Sequence, residues 1–305
     1  MNRQELNTLA KLPLPELIVI ANKARQDFAG SSLDLCTIMN AKSGLCAEDC
    51  KFCAQASRHS TGIPTYPLKN KEEMMEAAMQ AKMMGAERFG IVTSGDELSK
   101  NELNLVIDAV REITGKTGIK VCASLGKISE EGFIFLKKAG LSRYHHNLET
   151  SEKYFTKIVT THTYQERIDT IKAAKKAGLQ VCSGGIIGMG ETLDDRIGLA
   201  LTLKELNVDS VPINILVPIN GTPLDSINPL SAGEAIRAIA LFRIILKDKA
   251  IKIAAGRESV LKDFQALAFM AGANGMLIGG YLTVKGRAPQ EDLQLAEEIK
   301  RLWQI

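Results

Sequence analysis

The chain has 305 residues, 45% hydrophobic and 24% charged, a balance that reads as an ordinary soluble globular protein with an ample core. Its net charge of +3 provides no bulk attraction to nucleic acid or to a membrane surface, so neither is expected as a partner. Six cysteines are too few for a disulfide scaffold, and their clustering favours metal binding or catalysis in a reducing compartment.

The opening MNRQELNTLAKLPLPELIVI carries an apolar run from Leu14 to Ile20, interrupted by Pro15 and Glu16 and followed by no small-residue cleavage site. It reads as a short helical segment over about residues 1–30 rather than a signal peptide, and a cytoplasmic protein is expected. No uncharged stretch approaches the roughly 20 apolar residues of a membrane helix. Eight β-rich runs follow: LDLCTIMNA (33–41), RFGIVTS (88–94), IKVCASL (119–125), SRYHHNLE (142–149), LQVCSGGI (179–186), SVPINILV (210–217), IKIAAG (251–256) and GMLIGG (275–280). Helical periods lie between them at 71–85, 101–115, 129–140, 164–178 and 193–207, several ending in a basic turn and Gly. Strand and helix in regular alternation predict a parallel sheet, and eight units fit a (β/α)8 TIM-type barrel, a single domain over 1–305. An open doubly wound sheet is the alternative. The helical methionines Met74, Met75, Met79, Met83 and Met84 read as core filling.

The stretch CAEDCKFCAQ places Cys46, Cys50 and Cys53 at C-x3-C-x2-C, in the loop after the first strand, on the functional face of a barrel. Thiolates at this spacing suit zinc or an iron–sulfur cluster. Structural zinc wants a fourth ligand; no second Cys pair lies nearby, and His59 stands at an unusual spacing. Three cysteines on a four-iron cluster leave one iron open, a working position for substrate or cofactor.

This triplet, with Phe52 just before its last Cys, resembles the signature of radical S-adenosylmethionine enzymes. The ordered set SGLCAEDCKFCAQASRH, YHHNLETS, TTHTYQER, VCSGGIIGMGET, SVPINILVPINGTPL, AAGRE and FMAGANG resembles the biotin synthase family over nearly the full chain. The resemblance implies a [4Fe-4S] cluster on Cys46, Cys50 and Cys53 and S-adenosyl-L-methionine on its open iron. It implies sulfur insertion between C6 and C9 of dethiobiotin, with the sulfur drawn from an auxiliary cluster. An electron donor such as flavodoxin or ferredoxin, the iron–sulfur assembly machinery and a homodimer are the further expectations. The rival readings are a hydrogenase-maturation or methylornithine-forming enzyme of the same superfamily, and a non-catalytic iron–sulfur or zinc carrier.

Cys36, Cys122 and Cys182 fall in the first, third and fifth strand runs. Singly, each reads as a small core hydrophobe. Together, inward positions on alternate barrel strands meet in one layer, so the three can converge on the axis. The family holds an auxiliary [2Fe-2S] cluster on three cysteines and one arginine. The resemblance maps these onto Cys122, Cys182 and Arg257, whose plainer reading is a salt bridge with Glu258 or a phosphate-type contact. The remaining family cysteine falls where this chain has Gly90. Cys36, at a position that is usually Ser in the family, is expected to replace it. The product is either a four-iron cluster with an open iron and an extra sulfide, or a [2Fe-2S] cluster with Arg257 as fourth ligand.

His145, Asn147 and Glu149 alternate along one face of the fourth run, as a polar strand end would. By resemblance Asn147 meets substrate and cofactor, and Glu149, usually Asp in the family, accepts from the ribose hydroxyls. His145 stands where the family has Asn and receives no role. Arg167 reads as an ordinary helix-surface residue or, by the motif, as the partner of the methionine carboxylate. Asn214, inward on the sixth run, brackets the ureido ring with Asn147. The glycine-rich SGGIIGMGET does not match a phosphate loop and reads as close backbone approach to S-adenosylmethionine, with Ile186 at the cofactor.

Overall fold

Helix starts are set by side-chain caps. In the computed structural model, which describes residues 2–284 and 286–304, Asn70, Ser99, Thr163, Thr192 and Ser231 each accept a hydrogen bond from the backbone N–H three residues on. The acidic residue at that position accepts one back from the cap, so two of the helix's orphan donors are satisfied together. These caps start helices Lys71–Met83, Lys100–Thr117, Tyr164–Lys176, Leu193–Glu205 and Ala232–Leu246. Helices Arg3–Ala10 and Leu14–Phe28 precede the first strand and are tied to Ala232–Leu246 by Arg237, whose Nη1 donates to the Ala10 and Leu12 carbonyls at 2.9 and 2.7 Å.

The strands β1 (Asp34–Lys42), β2 (Arg88–Thr93), β3 (Lys120–Ser124), β4 (Arg143–His145), β5 (Gln180–Cys182), β6 (Gly185–Ile187), β7 (Ser210–Ile215), β8 (Ala250–Ile253) and β9 (Gly275–Leu277) pair in parallel. Their order is β5-β4-β3-β2-β1-β9-β8-β7-β6, and β5 also pairs β7, so the sheet closes into a barrel of eight staves with β5 and β6 as halves of one. Residues such as Phe89, Ile91, Val121, Tyr144, Val211 and Ile251 point outward and are buried under the helices. Their neighbours line the axis: Lys252 on β8 reaches Cys36 on β1 with β9 between, and Arg143 on β4 reaches Asp34 on β1 with β2 and β3 between. The expected barrel is therefore present.

Three details differ from expectation. The fifth run is broken at Ser183 and Gly184, where a Cβ on Gly184 would lie 1.9 Å from the Pro212 carbonyl oxygen, and one on Gly185 2.3 Å from that of Glu149. Gly184→Ala is accordingly expected to cost about 3 kcal/mol in chemical denaturation, since backbone, not a flexible side chain, must give way. The fourth run stops at His145 rather than continuing to 149, because Leu148 and Glu149 donate to the Gly184 carbonyl and the chain turns at Glu149, φ 67°. Of the methionines, Met74 is core, but Met79 and Met83 are 52% and 79% exposed. Helix Lys71–Met83 buries one face only, through Met74, Ala78 and Ala81, and the i, i+4 pair Met79 and Met83 lies off that face. Among the described residues no helix is long and apolar enough to cross a membrane.

Candidate active site

The Cys46–Cys53 loop leaves the carboxyl end of β1 and is stapled rather than free. Cys46 N–H donates to the Gln55 carbonyl, Ser57 N–H to that of Cys46 and Lys51 N–H to that of Ile158, at 2.8–3.1 Å. Asp49 accepts from the Thr160 and Thr161 N–H groups at 2.9 and 3.2 Å. Burial raises the Cys50 thiol and pushes Cys53 up to about 11, so both are protonated until a metal displaces the proton. After burial, the Glu149 charge raises both thiols further, and the Arg167 charge lowers Cys50.

A lone zinc would draw its thiolates to within about 4 Å of one another. Among the described residues, the three-residue group whose ligating atoms all lie within 4.8 Å is Glu48, Asp96 and His162, and neither set of three cysteines qualifies. His59 is not grouped with the thiols; its Nδ1 donates to the Cys53 carbonyl oxygen at 2.8 Å.

Below the loop runs a polar row. His145 Nε2 donates to Asn147 Oδ1 at 2.9 Å, Gly184 N–H donates to the same oxygen at 3.1 Å, and Asn147 Nδ2 donates to Glu149 Oε2 at 3.3 Å. Two donors on one oxygen fix the amide's orientation. Arg167 Nη1 donates to the Asn147 carbonyl at 2.9 Å and lies 3.8 Å from Glu149 Oε1. Burial raises the Glu149 carboxyl against the pull of Arg167 and Asn147, and burial lowers His145 to about 4, so His145 is neutral at physiological pH. Asn214, paired with Ile186 in β7 and β6, donates to the Gly185 carbonyl and accepts from Ala255 N–H, both at 3.2 Å. Phe52 and Ile186 are half-buried and pack on the core. The glycine-rich segment has no free nest for phosphate: Gly188 and Met189 N–H groups donate to Glu191 at 2.8 and 2.7 Å, and Arg196 pairs with Glu191 at 2.6 Å.

Deeper in the barrel, Cys36, Cys122 and Cys182 come together. Cys122 raises both other thiols and Lys252 lowers both, while burial, the larger effect, pushes Cys36 up to about 11. Lys252 Nζ lies 2.6 Å from Cys36 Sγ and 3.0 Å from Asp34 Oδ2. Arg143 Nη1 and Arg88 Nε approach the same carboxylate at 3.3 and 3.5 Å, and Nε of each arginine is buried without a hydrogen-bond partner. Three buried cations with one carboxylate make a pocket suited to anionic sulfur ligands. Gly90 sits in register between Ile38 and Cys122, and a Cβ there would lie 3.1 Å from Ile38 Cγ2, so Ile38 fills the space of the missing thiol.

Arg257 is not in this pocket. It lies past β8 in the π-helical turn Arg257–Leu261, fully buried, with Nη2 2.6 Å from Asp292 Oδ1 and 3.2 Å from Glu258 Oε1, and Nη1 donating to Gln265. The plainer reading of Arg257 as a salt-bridge residue therefore describes its position, and Lys252 is the cation beside the thiols. A charge in the otherwise apolar run IKIAAG was the signal for it, since a lysine in a buried strand requires a partner. His162 and Glu48 were also missed; nothing in their spacing marks them.

A closed parallel barrel with a C-x3-C-x2-C loop at its carboxyl end defines a radical S-adenosylmethionine enzyme, and the model of the Radical SAM superfamily matches residues 42–215. The Biotin and Thiamin Synthesis associated domain matches residues 212–300. The biotin synthase of Thermotoga petrophila is 51% identical over 98% of this chain and 99% of its own, and that of Geobacter sulfurreducens 44% over 98% and 92%. The chain belongs to the biotin synthase family. Among solved structures, methylornithine synthase superposes with a TM-score of 0.85 at 20% identity, over 98% of this chain and 92% of its own, a likeness of fold alone.

Proposed function

We propose that the protein forms biotin by inserting one sulfur atom between C6 and C9 of dethiobiotin, using S-adenosylmethionine at the Cys46, Cys50 and Cys53 cluster and sulfur from an auxiliary cluster on Cys36, Cys122 and Cys182. The observation that carries this reading is the stack along the barrel axis: an outer thiol set, the Glu149 and Arg167 pair, the two asparagines, then an inner thiol set. Asn147 accepts from Gly184 N–H, two residues beyond Cys182, and so stands on the carboxyl-end side of that thiol.

When bound, the outer cluster supplies the one-electron cleavage of S-adenosylmethionine that makes hydrogen abstraction from unactivated C–H bonds feasible. The chain's residues bind and orient. Arg167 offers its guanidinium to the methionine carboxylate, Glu149 accepts from ribose hydroxyls, and Phe52 and Ile186 supply apolar contact. Asn147 has its oxygen saturated and one N–H left, whereas Asn214 keeps one N–H and one lone pair; together they can meet the carbonyl of a cyclic urea with two donors and one of its two N–H groups with an acceptor. Lys252, rather than Arg257, steadies the inner thiolates. The cluster is a four-iron one with an extra sulfide or a [2Fe-2S] one. The six free cysteines fit a reducing cytoplasm, where flavodoxin or ferredoxin would supply electrons and the assembly machinery the clusters.

The test is anaerobic. The reconstituted protein with S-adenosylmethionine, a strong reductant and dethiobiotin is expected to yield biotin and one 5′-deoxyadenosine per C–H bond broken. Abundant 5′-deoxyadenosine without biotin would point to another substrate, and neither product would favour a carrier.

A further inference from the structure

His162 bridges the cluster-binding loop and the cofactor-facing arginine. Its Nδ1 meets Glu48, which lies midway between Cys46 and Cys50, and its Nε2 lies 3.0 Å from Arg167 Nε. A guanidinium N–H only donates, so Nε2 must accept and carries no proton. Nδ1 therefore holds the proton and donates it to Glu48. The imidazole is held in place: its side chain is 3% exposed and lies edge-on to Phe155, ring centroids 5.7 Å apart, with the Arg167 guanidinium 5.9 Å from the same ring. With Nε taken by His162 and Nη1 by the Asn147 carbonyl, the guanidinium plane is fixed, and Nη2 has no acceptor among the described residues.

We propose that His162, locked as the Nδ1–H tautomer between Glu48 and Arg167, is the positioning residue that aims the free edge of Arg167 at the carboxylate of S-adenosylmethionine. The inference rests on the proposed cofactor role of Arg167. It also joins that role to the thiol loop, because Glu48 moves with Cys46 and Cys50. Asp96, the remaining carboxylate nearby, is occupied by Lys127 at 2.8 Å, and Lys127 also holds Glu166 at 2.9 Å.

The cofactor-free protein decides the hydrogen bonds. The chain has four histidines, so long-range 1H–15N spectra of 15N-histidine-labelled protein can be assigned, with His162→Gln marking the signal. The Nδ1–H form is expected at His162, and Arg167→Leu, which removes the donor to Nε2 but leaves Glu48 on Nδ1, is expected to keep that tautomer and move the Nε2 nitrogen resonance to that of an acceptor without its hydrogen bond. An Nε2–H tautomer in the unsubstituted protein overturns the proposal. Equilibrium dialysis of S-adenosylmethionine with the cluster-loaded protein tests the consequence. His162→Phe keeps the ring but loses both bonds and should weaken binding about tenfold or more. His162→Gln, with one donor and one acceptor, should restore it to within about threefold. Equal behaviour of the two variants would also overturn it. If the unsubstituted protein binds no S-adenosylmethionine, the proposed function fails instead, and the tautomer spectrum still decides whether His162 holds Arg167.

Discussion

Cys36→Ala is expected to strip the inner cluster and leave the outer one. The variant, reconstituted anaerobically, should hold the iron and sulfide of one cluster, cleave S-adenosylmethionine, and make no biotin. Cys36 is the thiol that β1 supplies, and β2 has no substitute because Ile38 occupies the space at Gly90. Alanine would leave Cys122 and Cys182 as a pair and return Lys252 to Asp34 alone. Two thiolates beside three cations cannot complete a ligand set of the kind that Fe–S clusters need. Iron and sulfide analysis with Mössbauer spectroscopy reads the outcome; unchanged content in the variant would remove Cys36 from the ligand set.

The second large effect separates the two cations of the β8 region. Arg257→Met leaves Asp292, itself fully buried, without its ion partner, and only the Gly279 N–H at 3.0 Å remains on the other carboxylate oxygen. Breaking a buried pair from one side costs about 3–5 kcal/mol, and the melting temperature should fall on the order of 10 °C. The iron content of whatever remains folded should not change. Lys252→Met should do the reverse, with a small effect on melting and loss of inner iron, because the Lys252 ammonium is 2.6 Å from the Cys36 thiol, which is proposed to hold that iron. If Arg257→Met removed iron and left the melting temperature alone, the assignment of Lys252 would be wrong.

The barrel was legible because its determinants are local: capping pairs such as Ser99 with Glu102 and Ser231 with Glu234, and strand runs bounded by turn residues. The outer site was legible because its three cysteines share one loop. The inner pocket was legible only in part. Strand alternation puts Cys36, Cys122 and Cys182 on the axis, but the partner of a buried cation depends on where β8 ends, and a shift of five residues separates Lys252 from Arg257. Helix Lys71–Met83 shows the same limit, since period alone does not say which face of a peripheral helix meets the core. The contacts of His162 depend on a loop docking that no local pattern encodes.

Glu149 occupies the left-handed backbone region at φ 67°, where a side chain without local compensation carries strain on the order of 1 kcal/mol. Aspartate, which the resemblance places there, visits that region more readily, and glycine most readily of all. Selection for a sturdier fold and selection for the proposed acceptor of ribose hydroxyls therefore pull this position toward different residues. Glutamate keeps the carboxylate and adds a methylene of reach, in a backbone region that it visits less readily than aspartate does.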